Sequence, residues 1–266
     1  MGKVIGVVSL KGGVGKTSSV VSLGHSFASM GKKVLLVDGN LSAPNLGLHF
    51  KIVDPATTLH QVLLNQAHPN DAIFEMDDLD VLPASLFNRY ELNPLKLRDK
   101  LTNLRRRYDV ILIDSSPALN DETLAVLNAS DEVLVVTTPD HPTLSTTLKA
   151  VKYAKRNGTP IVGLILNRVH NKKFELSLDD IEKASEVPVM AVVPYDLNVL
   201  KSLSEFVPMV KKHPSSEISK EFKKLAGTLI GEKYAPFSFR NLFGNIFTPK
   251  RQEINREIFY ESVFSK

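Results

Sequence analysis

Cysteine is absent from the 266-residue sequence. Without thiols the chain cannot form disulfides, thiolate metal sites or thiol nucleophiles, and an iron–sulfur cluster held between paired cysteines is excluded. Also missing is any run of about 18 apolar residues that could span a bilayer. Apolar alternation begins at Val4 with no basic lead-in, so no signal peptide is expected. A soluble or peripheral protein is the expectation, and the cysteine count does not fix its compartment. No low-complexity tract interrupts the first 230 positions, and 43% apolar with 23% charged residues is the composition of a globular chain. The net charge of +4 is modest, but the basic residues gather late, which leaves an anionic surface, lipid or nucleic acid, open as a partner.

What is present is an α/β alternation. Runs rich in Val, Ile and Leu at 3–9, 33–38, 109–114, 132–138, 160–167 and 188–193 predict strands. Near-continuous apolar stretches such as Val110-Ile111-Leu112-Ile113 predict strands buried on both faces, the habit of a mostly parallel sheet with helices on either side. Helices are predicted over 17–30, 58–65, 92–106, 121–128, 143–155, 178–184 and 216–229, with Gly31 and Gly158 as stops and Asn120 and Ser215 as caps. The fold class expected is therefore a doubly wound α/β domain over residues 1–231. After Gly231 the alternation ends, and residues 232–266 read as a tail with a purpose of its own.

Between the first strand and the first helix stands Lys11-Gly12-Gly13-Val14-Gly15-Lys16-Thr17-Ser18. Such a glycine-rich turn aims backbone N–H groups at phosphate oxygens from a helix N-terminus. Lys16 can reach the β- and γ-phosphates, and the Thr17 hydroxyl can ligate Mg²⁺. Chance produces this combination in roughly one chain of this length in ten thousand or fewer, so Mg²⁺-ATP is the expected ligand. Tyr108-Asp109-Val110-Ile111-Leu112-Ile113-Asp114 ends a buried strand in a carboxylate placed to hold Mg²⁺ through water.

The turn has Leu10 where the general P-loop pattern has glycine, and it adds Lys11 ahead of the paired glycines. In this it resembles the deviant Walker A motif of the MinD/ParA family of P-loop ATPases. The resemblance implies a P-loop NTPase fold and an ATP-dependent homodimer in which Lys11 reaches the partner subunit's nucleotide. It further implies that Asn167 reads the base while Arg168 and Pro194 wall the pocket, and that Asp38 lies near the Mg²⁺ and its waters. The segment Val37-Asp38-Gly39-Asn40-Leu41 to Leu48 is similar to the first switch of archaeal MinD-like members. It departs from the family at Asn40, where an aspartate that positions or activates the attacking water is common. Slow hydrolysis and a long-lived ATP state are expected, because an amide orients water but takes no proton.

In the tail, Phe239, Leu242, Phe243, Ile246 and Phe247 fall within an arc of roughly 140° on a helical wheel. Lys250 and Arg251 follow. The pattern is similar to the C-terminal membrane-targeting helix of MinD, and predicts an interfacial helix that holds the protein peripherally at a membrane in its ATP state. Docking on the body or in a partner's groove is the other reading of this helix. Residues 252–266 mix Ile254, Ile258, Phe259, Val263 and Phe264 with charges and suggest no partner. A DNA-segregation role of the ParA kind would need a basic surface from Lys201, Lys211, Lys212, Lys220, Lys223 and Lys224, but Glu205, Glu217 and Glu221 lie among them. A scaffold that uses ATP as a switch ligand is the remaining alternative. The cargo and any activating protein partner are extrinsic to the chain.

Overall fold

The computed structural model of the protein describes residues 1–87, 91–232 and 250–264. Eight strands form one sheet: β1 (Lys3–Val8), β2 (Val34–Gly39), β3 (Phe74–Glu75), β4 (Asp80–Leu82), β5 (Val110–Ser115), β6 (Glu132–Thr137), β7 (Ile161–Val169) and β8 (Val189–Pro194). Their spatial order is β3-β4-β2-β5-β1-β6-β7-β8, parallel throughout except for the β3–β4 pair. The six longer strands fall on the six apolar runs. The sequence pattern did not register β3 and β4, because two or three residues are too few for a periodicity.

Alternation along each strand builds two cores. Val4, Val8, Leu35, Val37, Ile111 and Ile113 face one layer, and Ile5, Val7, Val34, Leu36, Val110 and Leu112 face the other. Helices α2 (Leu59–Leu63), α3 (Leu97–Thr102), α4 (Asp121–Ala129), α5 (His141–Arg156) and α6 (Leu178–Ser185) contribute to the first core. Helices α1 (Lys16–Ala28), α8 (Met209–Lys212) and α9 (Glu217–Leu229) contribute to the second, and α7 (Leu197–Ser204) links β8 to α8. The predicted doubly wound architecture is the one observed.

Local chemistry sets the helix ends. Asn120 caps α4 by accepting from the Thr123 N–H, and Gly31 and Gly158 lie at positive φ just past α1 and α5. The cap of α9 is Ser216 rather than the expected Ser215; its hydroxyl accepts from the Ser219 N–H. The single helix predicted over 92–106 is instead a 3₁₀ turn at Pro94–Lys96, then α3, then a second turn at Leu104–Arg106. Asn93 and Pro94 start that first turn, and Leu97, Leu101 and Leu104 still reach the core.

Residues 251–264, for which the sequence suggested no partner, form α10 (Arg251–Phe264), which packs against β8 and α9. The candidate amphipathic segment with Phe239, Leu242, Phe243, Ile246 and Phe247 lies outside the described residues.

Candidate functional site

In a parallel sheet, ligands bind beyond the carboxyl ends of the strands, where successive connections turn to opposite sides. β1 sits at that point, between β5 and β6, and the turn from Ser9 to Gly15 leaves its end to enter α1. Gly13 and Gly15 have φ of 75° and 96°, a region side chains rarely adopt. Gly15 has a second constraint: a Cβ there would stand 2.3 Å from the Asn167 Nδ2. That amide nitrogen donates to the Val14 carbonyl at 2.7 Å, so β7 braces the glycine turn from the side.

Beneath the turn, the buried Lys16 and the half-buried Thr17 meet the end of β5. The Thr17 hydroxyl donates to Asp114 Oδ2 at 2.5 Å, while Asp114 Oδ1 is buried without a partner. In the next strand Asp38 stands in direct register with Asp114. Asp38 accepts backbone N–H groups from Leu46 at 2.9 Å, Asn45 at 3.1 Å and Asn40 at 3.2 Å. Burial, and then the neighbouring Asp114 charge, push the Asp38 carboxyl well above the ordinary carboxylate range against those three donors. Burial raises Asp114 too, opposed by the Thr17 hydroxyl and the Lys16 charge. The Lys16 ammonium is pushed below its usual value, chiefly by burial. Two buried carboxylates side by side, one with an unpartnered oxygen, and a hydroxyl in contact make a site that suits a hard divalent cation. The fold thus brings Thr17, Asp38 and Asp114, the three candidate metal residues of the sequence, to one place. No cluster of three or more acidic, His or Cys side chains that could cage a metal occurs among the described residues. That fits a cation such as Mg²⁺, which keeps water and phosphate oxygens as ligands.

Asn40 is buried beside this pair. Its Nδ2 donates to the Ala43 carbonyl, and its Oδ1 has no partner. Lys11 is placed differently from the rest of the turn. Its ammonium reaches the start of α5, 2.5 Å from the Thr143 hydroxyl and 3.3 Å from Asp140 Oδ1. Asp140 also caps α5 by accepting from the Thr143 N–H.

Two cavities flank the turn. One of about 200 Å³ is walled by the candidate residues Gly15, Ser18, Asn167, Arg168 and Pro194, and by Leu200 of α7 and Phe222 of α9, which the sequence did not single out. The other, about 350 Å³, opens over Lys11, Gly12, Gly13 and Val14 toward Asp140 and Phe174. Arg168 lines both, at a left-handed φ of 58°. Sequence reasoning missed Asp140, although an aspartate two residues before Pro142 is a recognisable N-cap signal. Of the late lysines, Lys211, Lys212 and Lys224 are ion-paired with Asp78, Glu205 and Glu253.

A family model described as an AAA domain matches residues 2–158, and one described as the NUBPL iron-transfer P-loop NTPase matches residues 97–230. The chain is 35% identical over 237 residues to an uncharacterized ATP-binding protein of Methanocaldococcus jannaschii, covering 88% of this chain and 90% of that protein. It is 32% identical over 246 residues to the septum site-determining protein MinD of Thermotoga maritima, covering 87% and 89%. Among solved structures, Pyrococcus horikoshii MinD complexed with Mg-ADP superposes with a TM-score of 0.80 at 33% identity, covering 86% of this chain and 96% of that one.

Proposed function

The chain belongs to the MinD/ParA family of P-loop nucleoside triphosphatases, and from that premise we propose that it is a slow, Mg²⁺-dependent ATPase that dimerises with ATP and works as a positioning switch at a membrane surface. The observation that carries the proposal is the Lys16, Thr17 and Asp114 cluster beneath a glycine turn, with Asp38 in register beside it. The printed names of the relatives, which include ATP binding, Mg-ADP and septum-site determination, support the ligand and the class of task.

In this reading the backbone N–H groups from Gly12 to Thr17 and the Lys16 ammonium hold the phosphates, and the 200 Å³ cavity takes the base, against Asn167, Arg168 and Pro194. Thr17, Asp114 and Asp38 hold Mg²⁺, which supplies positive charge to phosphate oxygens and lets both carboxylates ionise. Asn40 Oδ1 accepts from the attacking water and fixes its position but takes no proton, and the neighbouring Asp38 is engaged by the Asn40, Asn45 and Leu46 N–H groups, so turnover is slow. Lys11 leaves its place on α5 to reach the nucleotide of a second copy. The iron-transfer task in one family description does not carry over, since the sequence offers no cysteine thiolate.

Membrane contact rests on the tail segment 239–247, because no helix among the described residues is long and apolar enough to cross a bilayer. The pairing of Lys211, Lys212 and Lys224 with acids favours this over duplex DNA as the anionic surface. The test is co-sedimentation of the full chain with phosphatidylglycerol vesicles, with ATP, with ADP and without nucleotide, alongside phosphate release. A variant carrying Phe239→Ser, Phe243→Ser and Phe247→Ser leaves α10 intact. Pelleting only with ATP, lost in the variant, is the expected result; no pelleting in any state would sink the membrane role.

A further inference from the structure

Helix α10 begins at Arg251, well beyond residue 230, the last position that either family model matches. Its packing face is unusual. The residues at helical spacing that turn inward are Gln252, Asn255, Arg256 and Phe259, three of them polar, whereas Ile258 and Val263 are exposed. α10 therefore docks mainly through directed polar contacts rather than by burying an apolar stripe.

Those contacts land on two elements and on Glu182 of α6 beside them. β8 is an edge strand, and its backbone is completed by side chains: the Val189 N–H donates to Glu182 at 2.7 Å, and the Val192 N–H donates to Glu221 at 2.8 Å. α10 completes the arrangement. Asn255 donates to the Val189 carbonyl at 3.0 Å and to Glu182 at 2.6 Å, and Arg256 donates to the same Glu221 oxygen that holds Val192. Lys224 pairs with Glu253 at 2.5 Å. Arg256 is buried with Nε and Nη1 unpartnered; Glu221 is its hydrogen-bonded anion, with the Glu253 carboxylate also near its charge. Glu221 thus joins three elements at one point: α9 carries it, β8 donates to it, and α10 donates to it.

β8 and α9 also wall the 200 Å³ cavity. Val193 and Pro194 follow Val192 on β8, and Ile218 and Phe222 flank Glu221 on α9. We propose that Arg256 and Glu221 are positioning residues for the base end of the nucleotide pocket, and that docking of α10 and occupancy of that pocket are linked. This rests on the nucleotide-binding reading above. Because linkage is reciprocal, a docked α10 tightens nucleotide binding, and bound nucleotide holds α10 down by the same factor. The phosphate end is built on β1, β5 and α1, none of which hydrogen-bonds to Glu221 or Arg256, so the coupling is expected at the base end.

The experiment uses the full chain. Calorimetry would measure affinity for Mg-ADP and for Mg-tripolyphosphate, which has phosphates but no base, in wild type, Arg256→Met and Glu221→Gln. The Glu221→Gln change removes the charge but keeps a side-chain carbonyl that still accepts from Val192, and a double variant completes the cycle. Expected are at least fivefold weaker Mg-ADP binding in each single variant, a non-additive double variant, and unchanged tripolyphosphate affinity. Hydrogen exchange on the wild type needs no variant: Mg-ADP should slow exchange at the α10 amides. Wild-type Mg-ADP affinity kept in the variants, or α10 exchange indifferent to Mg-ADP, overturns the proposal alone. A wild type that binds no Mg-ADP overturns the nucleotide reading together with it.

Discussion

Lys11 and Asp140 are paired within one chain, 3.3 Å apart, with the Thr143 hydroxyl 2.5 Å from the same ammonium. The side chain proposed to serve a second copy is therefore engaged at home and must be released before a dimer closes. Both partners are about two-fifths exposed, so the pair is worth only ~0.5 kcal/mol. Asp140→Asn removes the charge but keeps the N-cap. It should raise the ATP-dependent dimerisation constant about twofold per subunit, read by analytical ultracentrifugation, whereas Lys11→Ala should abolish the dimer. The pair itself should not respond to pH near neutrality. Burial raises the Asp140 carboxyl, but hydrogen bonds from Thr138, Thr143 and Lys11 outweigh it and bring it down to about 2. Its contribution is present above the ordinary aspartate value and is lost only as pH falls toward 2.

Asp38 and Asp114 repel each other in the absence of a cation. Both carboxyls are raised in the folded state, so the folded protein binds more protons than the unfolded chain above the ordinary aspartate range. Stability of the metal-free protein should therefore fall as pH rises from about 4 toward neutrality. Asp114→Asn should flatten that fall and raise the melting temperature of the metal-free protein at pH 7. The same variant should weaken Mg-ADP binding tenfold or more. A variant less stable than wild type without metal would contradict the repulsion argument.

The parts of this site carried by contiguous residues were legible in the sequence. The glycine turn and the carboxylate ending an apolar strand are each local, and parallel strands bring Asp38 beside Asp114 by register. Contacts made across the fold were not. Nothing near Lys11 points to Asp140, which is 129 positions away, and nothing near Pro194 announces Phe222 as its neighbour in the cavity wall. α10 escaped for a different reason. Periodicity finds helices whose buried stripe is apolar, and here Gln252, Asn255 and Arg256 occupy that stripe.

An acid sensitivity of the protein is expected at His25. It is buried near the end of α1, its Nε2 has no partner, and Asp78 lies 3.8 Å from its Nδ1. Burial pushes the imidazole down to about 4, against the Asp78 carboxylate, with Lys211 adding to the depression. The folded state thus binds fewer protons than the unfolded chain between about 4 and the ordinary histidine value near 6.5, and stability is lost as pH falls through that window. The loss should approach roughly 3 kcal/mol at the acid end. Urea unfolding at pH 7 and pH 5 measures it; His25→Phe should reduce the difference, and an unchanged difference would assign the acid sensitivity elsewhere.

The proposed slow turnover is tested at Asn40. Its Nδ2 is committed to the Ala43 carbonyl, and this leaves Oδ1, buried and unpartnered, as the atom free to hold a water. An amide oxygen orients that water but stays neutral, so the wild-type turnover number should be insensitive to pH from this residue. Asn40→Asp loses the donor to Ala43, which costs about 1 kcal/mol of stability. In exchange it places a carboxylate that can accept a proton, and general bases contribute on the order of 10²–10⁴ in rate. Crowding by Asp38 will reduce that gain, so an increase of about tenfold or more in single-turnover phosphate release is expected, with a new acid limb in its pH profile. Asn40→Ala should lower the rate below wild type, because water is then neither held nor deprotonated. If all three proteins release phosphate at one rate, the water is positioned by other groups, and slow turnover has to be explained by the dimerisation step that frees Lys11.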